Sequence, residues 1–451
     1  MPLANRNIEK FFFLYLILTP ILDIFGGAYI HVGSRIVGEN LSSLITPTLI
    51  VRMMILLLFV FYILSLRDKK SILTILPIGV AWLATVAGEF LFAPTFSLFA
   101  EMQYMAKYVY NISVLLVYWR LFTRCSLNRE QMLNWLNWYI SLSLLILSLS
   151  IHIPYILGLG YSTYADRFGY FGARGFFYSG NDITAVLMML IPIALINYAR
   201  LAPLCPDCRM RFHDLLPQDK ERRRHLFYLA APATALTALF SIATKTAFIA
   251  FGVTMVVLGI YFWRTAKEGG DKTQWQAYIR VIVAFVALFA FLSLFGLLRD
   301  LAETLRRLRM IFLIQAPEDI MLSGRVEKLL LAFKAWLAGG PFTWVFGIGR
   351  GTQRYIIEMD VFEVLCYYGL AGALAMLWLY LKLGINILKR FIPRRREDYA
   401  LAAFISVGLT AAYAVMAGHV LFSVTSGFYF VFMLLYSYLY YAQSMEDFNL
   451  M

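Results

Sequence analysis

Charge is scarce in this sequence. Only 15% of its 451 residues are Asp, Glu, Lys or Arg, where an average soluble domain carries about a quarter. Cysteine is sparse too: four in this length exclude a disulfide framework. The short alternating segments of an outer-membrane barrel are missing. No βαβ setting surrounds Gly347-x-Gly349-x-Gly351, which excludes a dinucleotide-binding loop. No aspartate cluster for a divalent ion stands out, so neither metal nor other cofactor is expected.

What the chain does have is apolar length. It is 61% hydrophobic, and apolar runs long enough to cross a bilayer recur along it. They fall near 11–30, 44–66, 72–94, 97–118, 133–157, 182–199, 226–243, 246–263, 278–298, 361–388, 400–418 and 420–441. The expected fold is therefore all-α, a polytopic membrane protein of about twelve transmembrane helices, because lipid offers an open backbone no hydrogen-bond partner. The first apolar run lacks a small-residue cleavage site and reads as an uncleaved span. In chain order the expectation is helices 1–9 over 1–297, a large outer loop over 298–360, and helices 10–12 over 361–451.

The net charge of +13 does not point to nucleic acid, because of where it lies. More than half of the 40 Lys and Arg occupy the N-terminal tail and five loops, around Arg67–Lys70, Arg120–Arg129, Arg200–Arg224, Arg264–Lys272 and Lys389–Arg396. Those loops face one side if the N-terminus is inside. This is the positive-inside bias, and it puts both termini in the cytoplasm. The loop 201–225 carries Cys205-Pro-Asp-Cys208 and His213. That is half a zinc site at most, and the plainer reading is a reduced loop whose basic residues face anionic lipid.

The informative residues gather on the outer side. Between spans five and six, Arg174-Gly-Phe-Phe-Tyr-Ser-Gly-Asn181 leads into an apolar helix with Pro192. Ser179 or Asn181 would cap that helix, whose N-terminus with Arg174 suits a phosphate; an interfacial arginine beside a cap is the alternative. Lys245 sits in the hairpin tip Ser241-Ile-Ala-Thr-Lys-Thr246, either meeting an anion or snorkelling. Arg52 and Lys107 lie within spans, and Lys107 is placed to pair with Glu101. The long outer loop holds two amphipathic patterns. One runs from Leu301 through Leu305, Leu308, Ile311 and Phe312. The other, capped by Ser323, runs through Val326, Leu329, Leu330, Phe333, Trp336 and Leu337. Next come the glycine turn Phe346-Gly-Ile-Gly-Arg-Gly351 and a cluster of Arg325, Arg350 and Arg354 with Glu358, Asp360 and Glu363. Asp360 and Glu363 share a helix face, and Glu363 at the edge of the apolar zone is a candidate general base unless paired. Ion pairing that only fixes the loop is the alternative. His419, in Ala417-Gly-His-Val420, faces the same side, lining the same cavity or bonded to backbone.

Taken in order, these patches resemble the O-antigen ligase and polymerase superfamily of bacterial membrane proteins. The likeness rests on Arg174 to Asn181 with Pro192; on Thr244-Lys-Thr246, where such proteins often have Ser-Arg; and on Ser323-Gly-Arg325, Trp336, Pro341, Phe346 to Gly351, Glu358, Asp360 and Gly369-Leu-Ala-Gly372. The resemblance implies a membrane-embedded glycosyltransferase of the C class in the bacterial inner membrane, active on the outer face. It implies transfer of a glycan from undecaprenyl pyrophosphate, beneath a lid formed by the long loop. Arg174, Lys245 and Arg325 would hold the diphosphate, and Glu358 or Asp360 would deprotonate the acceptor hydroxyl. Lys245, Arg350, Arg354, Glu363, His419 and Asn181 would contact substrate. Ligases carry a His-Asn pair where this chain has Glu358-Met-Asp360, so the resemblance favours a polymerase of O-antigen, capsule or exopolysaccharide type. Its partners would be the carrier-linked glycan, the bilayer and a chain-length-regulating co-polymerase. A ligase acting on another acceptor is the alternative reading. A lipid-oligosaccharide flippase is opposed by the lack of an internal repeat.

Overall fold

The computed structural model describes residues 3–37, 46–66, 69–93, 95–125, 127–166, 169–201, 220–269, 272–314, 324–352, 356–416 and 418–449. Cys205, Cys208, His213, Ser323 and Arg354 lie outside the described residues. The helices in chain order begin with α1 (Leu3–Val37), α2 (Pro47–Ser65), α3 (Lys69–Phe92), α4 (Leu98–Arg124) and α5 (Arg129–Ile156). A hairpin follows, β1 (Ser162–Asp166) and β2 (Gly169–Ala173). Then come α6 (Gly180–Leu201), α7 (Lys220–Ile242), α8 (Lys245–Gly269), α9 (Thr273–Ser293) and α10 (Leu297–Ile314). The chain ends with α11 (Arg325–Ala338), α12 (Gly340–Phe346), α13 (Asp360–Arg394), α14 (Asp398–Met416), α15 (Ser426–Tyr441) and α16 (Met445–Asn449).

Each of the twelve expected spans falls on a helix. Among the described residues, ten helices are long and apolar enough to cross a membrane: α1–α3, α5–α9, α13 and α14. The expected count of about twelve thus stands at ten by this measure. The remaining two are α4, which carries Glu101 and Lys107, and α15, which is 16 residues long. Among the described residues the short hairpin is the one departure from an all-α chain. It is antiparallel, with Ser162 opposite Ala173 and Tyr164 opposite Phe171.

The chain packs as two compact units. One comprises Met1–Val51, Leu127–Leu308 and Arg395–Ser406; the other comprises Arg52–Ser126, Arg309–Arg394 and Val407–Met451. Each unit draws on more than one of the chain-order segments 1–297, 298–360 and 361–451. In the first unit α6 is the core helix, its apolar window 94% buried against 22% for α9. A helix apolar all round belongs inside, and α6 is one. His152 of α5 meets the Thr234 carbonyl of α7 at 2.9 Å, and Arg200 of α6 forms a two-nitrogen pair with Asp398. In the second unit α4 and α15 form the buried centre. Asn111 of α4 donates to the Leu421 and Ser423 carbonyls, 2.9 Å each, and so fixes the segment that enters α15. Arg52, expected to face a partner, reaches the Thr425 hydroxyl at 3.5 Å.

The two amphipathic helices form, but much of the apolar stripe of each is exposed. In α11 the buried residues are Arg325, Ala332 and Trp336, while Leu330, Phe333 and Leu337 are exposed. In α10 Asp300 and Thr304 are buried and Leu298 and Leu305 exposed. Helices lying against lipid show this arrangement. The residue preceding α11 is Gly324, at φ 74°, with no side-chain cap.

One glycine decides the course of the second unit. Gly369 interrupts α13 at φ 65°, ψ −167°, a region open essentially to glycine alone. Its Cα side faces the Val345 carbonyl so closely that an added Cβ would overlap it. The Gly369→Ala substitution should therefore cost about 3 kcal/mol through strain and overpacking. The check is the thermal unfolding midpoint of the purified protein, which an ordinary surface Gly→Ala change would leave unmoved.

Candidate functional site

In the first unit, Arg174 sits where the hairpin leaves β2. The Tyr161 amide donates to the Gly175 carbonyl at 2.7 Å, and the Arg174 amide returns to the Tyr161 carbonyl at 3.1 Å. Gly175 follows because it adopts φ 58° and its missing Cβ would overlap the Ser150 carbonyl of α5. Arg174 donates from Nη1 to the Tyr178 carbonyl at 2.6 Å and lies 5.2 Å from the Tyr161 ring centroid. Burial lowers its guanidinium from the ordinary value, with Tyr161 and Tyr178 acting against that; an arginine stays charged regardless.

Two helix N-termini meet beside it. Ser179 caps α6 by accepting from the Asp182 amide at 3.2 Å, which settles Ser179 over Asn181 as the cap. Asn181 lies in the first turn. Thr244 caps α8 by accepting from the Ala247 amide at 3.2 Å, and its hydroxyl lies 3.2 Å from that of Thr184 in α6. Lys245 is the first residue of α8. A Cβ on Gly180 would lie 3.8 Å from both Arg174 Cδ and Ile242 Cγ2. Arg174, the start of α6 and the turn before Lys245 therefore share one neighbourhood. Amide groups at helix N-termini favour anions.

In the second unit, the acidic residues form one connected cluster. Glu358, at φ 64°, occupies the left-handed region, at about 1 kcal/mol for a non-glycine residue. It is held there twice. Arg325 donates to its Oε2 from Nε at 3.1 Å and from Nη2 at 2.7 Å, and its own amide donates to Glu363 Oε1 at 2.7 Å. Glu363 Oε2 accepts from the Tyr104 hydroxyl. Asp360 Oδ2 accepts from the Val420 and Leu421 amides at 2.6 and 2.8 Å. His419 Nδ1 then lies 3.5 Å from Glu363 Oε2 and 3.6 Å from Asp360 Oδ1. The Ser426 hydroxyl donates to the His419 carbonyl at 2.8 Å, and Phe422 stacks on Tyr104 with centroids 4.0 Å apart.

Exposure separates the roles. Asp360 and Glu363 side chains are fully buried, whereas Glu358 is 35% and His419 25% exposed. Glu363 is paired, so it organises the turn and does not face an incoming hydroxyl. Asp360, Glu363 and His419 could also hold a metal ion, their ligand atoms lying within 4.8 Å of one another.

The glycine turn has an occupant from the protein itself. Glu101 Oε2 accepts from the Arg350 and Gly351 amides at 2.7 and 2.8 Å, and Trp82 Nε1 donates to Oε1 at 3.1 Å. A Cβ on Gly349 would overlap the buried carboxylate of Glu89. Glu101 is thus held by two backbone amides and an indole. The Arg350 guanidinium lies 5.9 Å from the Tyr104 ring centroid. Glu101, Trp82 and Tyr104 were not among the expected site residues; a carboxylate at the outer end of a span was the only signal.

These features describe a polytopic membrane protein with a cationic helix-terminus site in one unit and a carboxylate–histidine cluster in the other. The family model described as O-antigen ligase like membrane protein matches residues 5–201. Over those residues, less than half of the chain, the protein is similar to that family. The match includes Arg174 and Asn181 and stops before Lys245. No curated protein and no solved structure matches the chain.

Glu101 is buried and satisfies three donors, so the Glu101→Ala substitution should lower stability by roughly 3–5 kcal/mol. Chemical or thermal unfolding measures this. A change below about 1 kcal/mol would mean the turn holds itself.

Proposed function

We propose that this protein polymerises lipid-linked oligosaccharide repeat units, moving a glycan from undecaprenyl pyrophosphate to a second carrier-linked unit at the outer face of the bacterial inner membrane. The observation that carries this reading is the ordered chain Arg325–Glu358–Glu363–His419–Asp360, with Glu358 its exposed carboxylate. In the reaction, the acceptor hydroxyl gives its proton to Glu358 as its oxygen bonds to the anomeric carbon. The bond from that carbon to the diphosphate breaks, and the electron pair leaves with the diphosphate. Within the second unit Arg325 offsets the charge on that leaving group, which is what a guanidinium does best. Arg325 is held by Glu358, so a diphosphate taking its place would release Glu358 toward the hydroxyl. Asp360 acts by holding residues 420 and 421, and Glu363 by holding the 358 turn.

The lack of the ligase His-Asn pair at 358–360 favours a polymerase. His419 brings an imidazole to the same cluster from a distant part of the chain, which keeps a ligase-type transfer as the second reading. Accumulated products separate them. Loss of a polymerase leaves single repeat units on the carrier, loss of a ligase leaves long carrier-linked chains, and loss of a flippase strands units inside. Glu358→Gln should slow transfer by about 10²–10⁴-fold, and Arg325→Ala by at least as much. Polymer of unchanged length in the Arg325→Ala variant would defeat the assignment.

A further inference from the structure

The second unit carries a groove of about 590 Å³ between α3, α4 and α13 that the proposed transfer does not use. Among the described residues its lining includes three cations, Lys70, Arg120 and Lys382, and no acid. All three lie toward one end. Lys70 is in the first turn of α3, Arg120 in the last turns of α4 and Lys382 in the second half of α13. The rest is largely apolar, and Leu73, Val80, Leu374 and Trp378 are each more than half exposed along it. Small residues Ala81, Ala371 and Ala375 keep the floor open. Trp119 also lines the groove. It is 9% exposed, and its buried Nε1–H has no hydrogen-bond acceptor.

The dimensions match a lipid. From Lys70 to Ala81 the groove follows α3 for about 16 Å at the helical rise. Half of the roughly 30 Å hydrocarbon core is about 15 Å. The geometry points to a binding site for one anionic phospholipid. Its phosphate meets Lys70, Arg120 and Lys382 at the interface, and an acyl chain lies along α3 and α13. A zwitterionic lipid would fill the same apolar length but bring its own cation toward the three. With the basic loops inside, the occupied leaflet is the cytoplasmic one.

The test uses the full chain in detergent, stripped of lipid and then offered dioleoyl phosphatidylglycerol, dioleoyl phosphatidylcholine or inorganic phosphate. Bound mass is read by native mass spectrometry. Each cation near a headgroup is worth about fivefold, so phosphatidylglycerol should be retained at least about tenfold better than phosphatidylcholine. Inorganic phosphate should neither bind nor compete. The triple variant Lys70→Gln, Arg120→Gln, Lys382→Gln should lose the preference, and Ala375→Phe should reduce both lipids alike. A salt titration of the unaltered protein needs no variant, and rising salt should release phosphatidylglycerol selectively. Equal retention of the two lipids, a preference that survives the triple variant or high salt, or competition by inorganic phosphate would overturn the site.

Discussion

A carboxylate placed among apolar helices must find its hydrogen bonds inside the protein, since neither lipid nor bulk water supplies them. Glu363 meets that constraint with both oxygens and Asp360 with Oδ2, and the second unit is arranged by how they do so. Asp360 draws in two amides of the segment before α15, and Glu363 draws in the Glu358 amide and the Tyr104 hydroxyl. Three stretches far apart in sequence are thereby tied to the first turn of α13. His419 arrives beside the pair because its neighbours at 420 and 421 are the bonded ones. The exposed member, Glu358, is held in a backbone conformation it would not choose alone, with Arg325 on its free end.

The same rule governs the glycine turn. Its free amides could have met a substrate phosphate; in the structure they are taken by Glu101. Removing the side chains at 347, 349 and 351 lets α3, α4 and α13 approach the turn. The glycines therefore serve packing and an internal carboxylate. What Arg350 offers outward is its guanidinium over Tyr104, its amide being committed.

Hydropathy made the helices legible, because apolar length is a requirement the bilayer imposes on sequence directly. Every expected span became a helix; in the second unit Arg325, Glu358, Asp360, Glu363 and His419 lie together, and in the first Arg174 lies beside the start of α6. The misreadings have a common cause. The stripe from Val326 to Leu337 was visible by period, but period alone does not say whether an apolar face points to core or to lipid; here Leu330 and Leu337 are exposed and Arg325 is buried. The hairpin at 162–173 was missed because five-residue strands among glycines and tyrosines give little alternation to count. Glu101 takes its two backbone donors from some 250 residues away. Local spacing cannot register such a contact.

The two units deal with charge in opposite ways. In the second, each acidic side chain of the cluster is met by amides, a hydroxyl, an imidazole or a guanidinium, so the charge is answered internally. In the first, Arg174 lies beside the N-terminus of α6 and Lys245 opens α8. Helix macrodipoles favour cations at the opposite ends, by typically 0.3–1 kcal/mol apiece. Two positive side chains set against two positive helix ends, with Ser179 and Thr244 already supplying the caps, run against local stability. Part of that cost is answered locally, by the Tyr178 carbonyl that accepts from Arg174 and by Asp182 in the first turn of α6. An anion of high charge density is the ligand those four positive features favour in common.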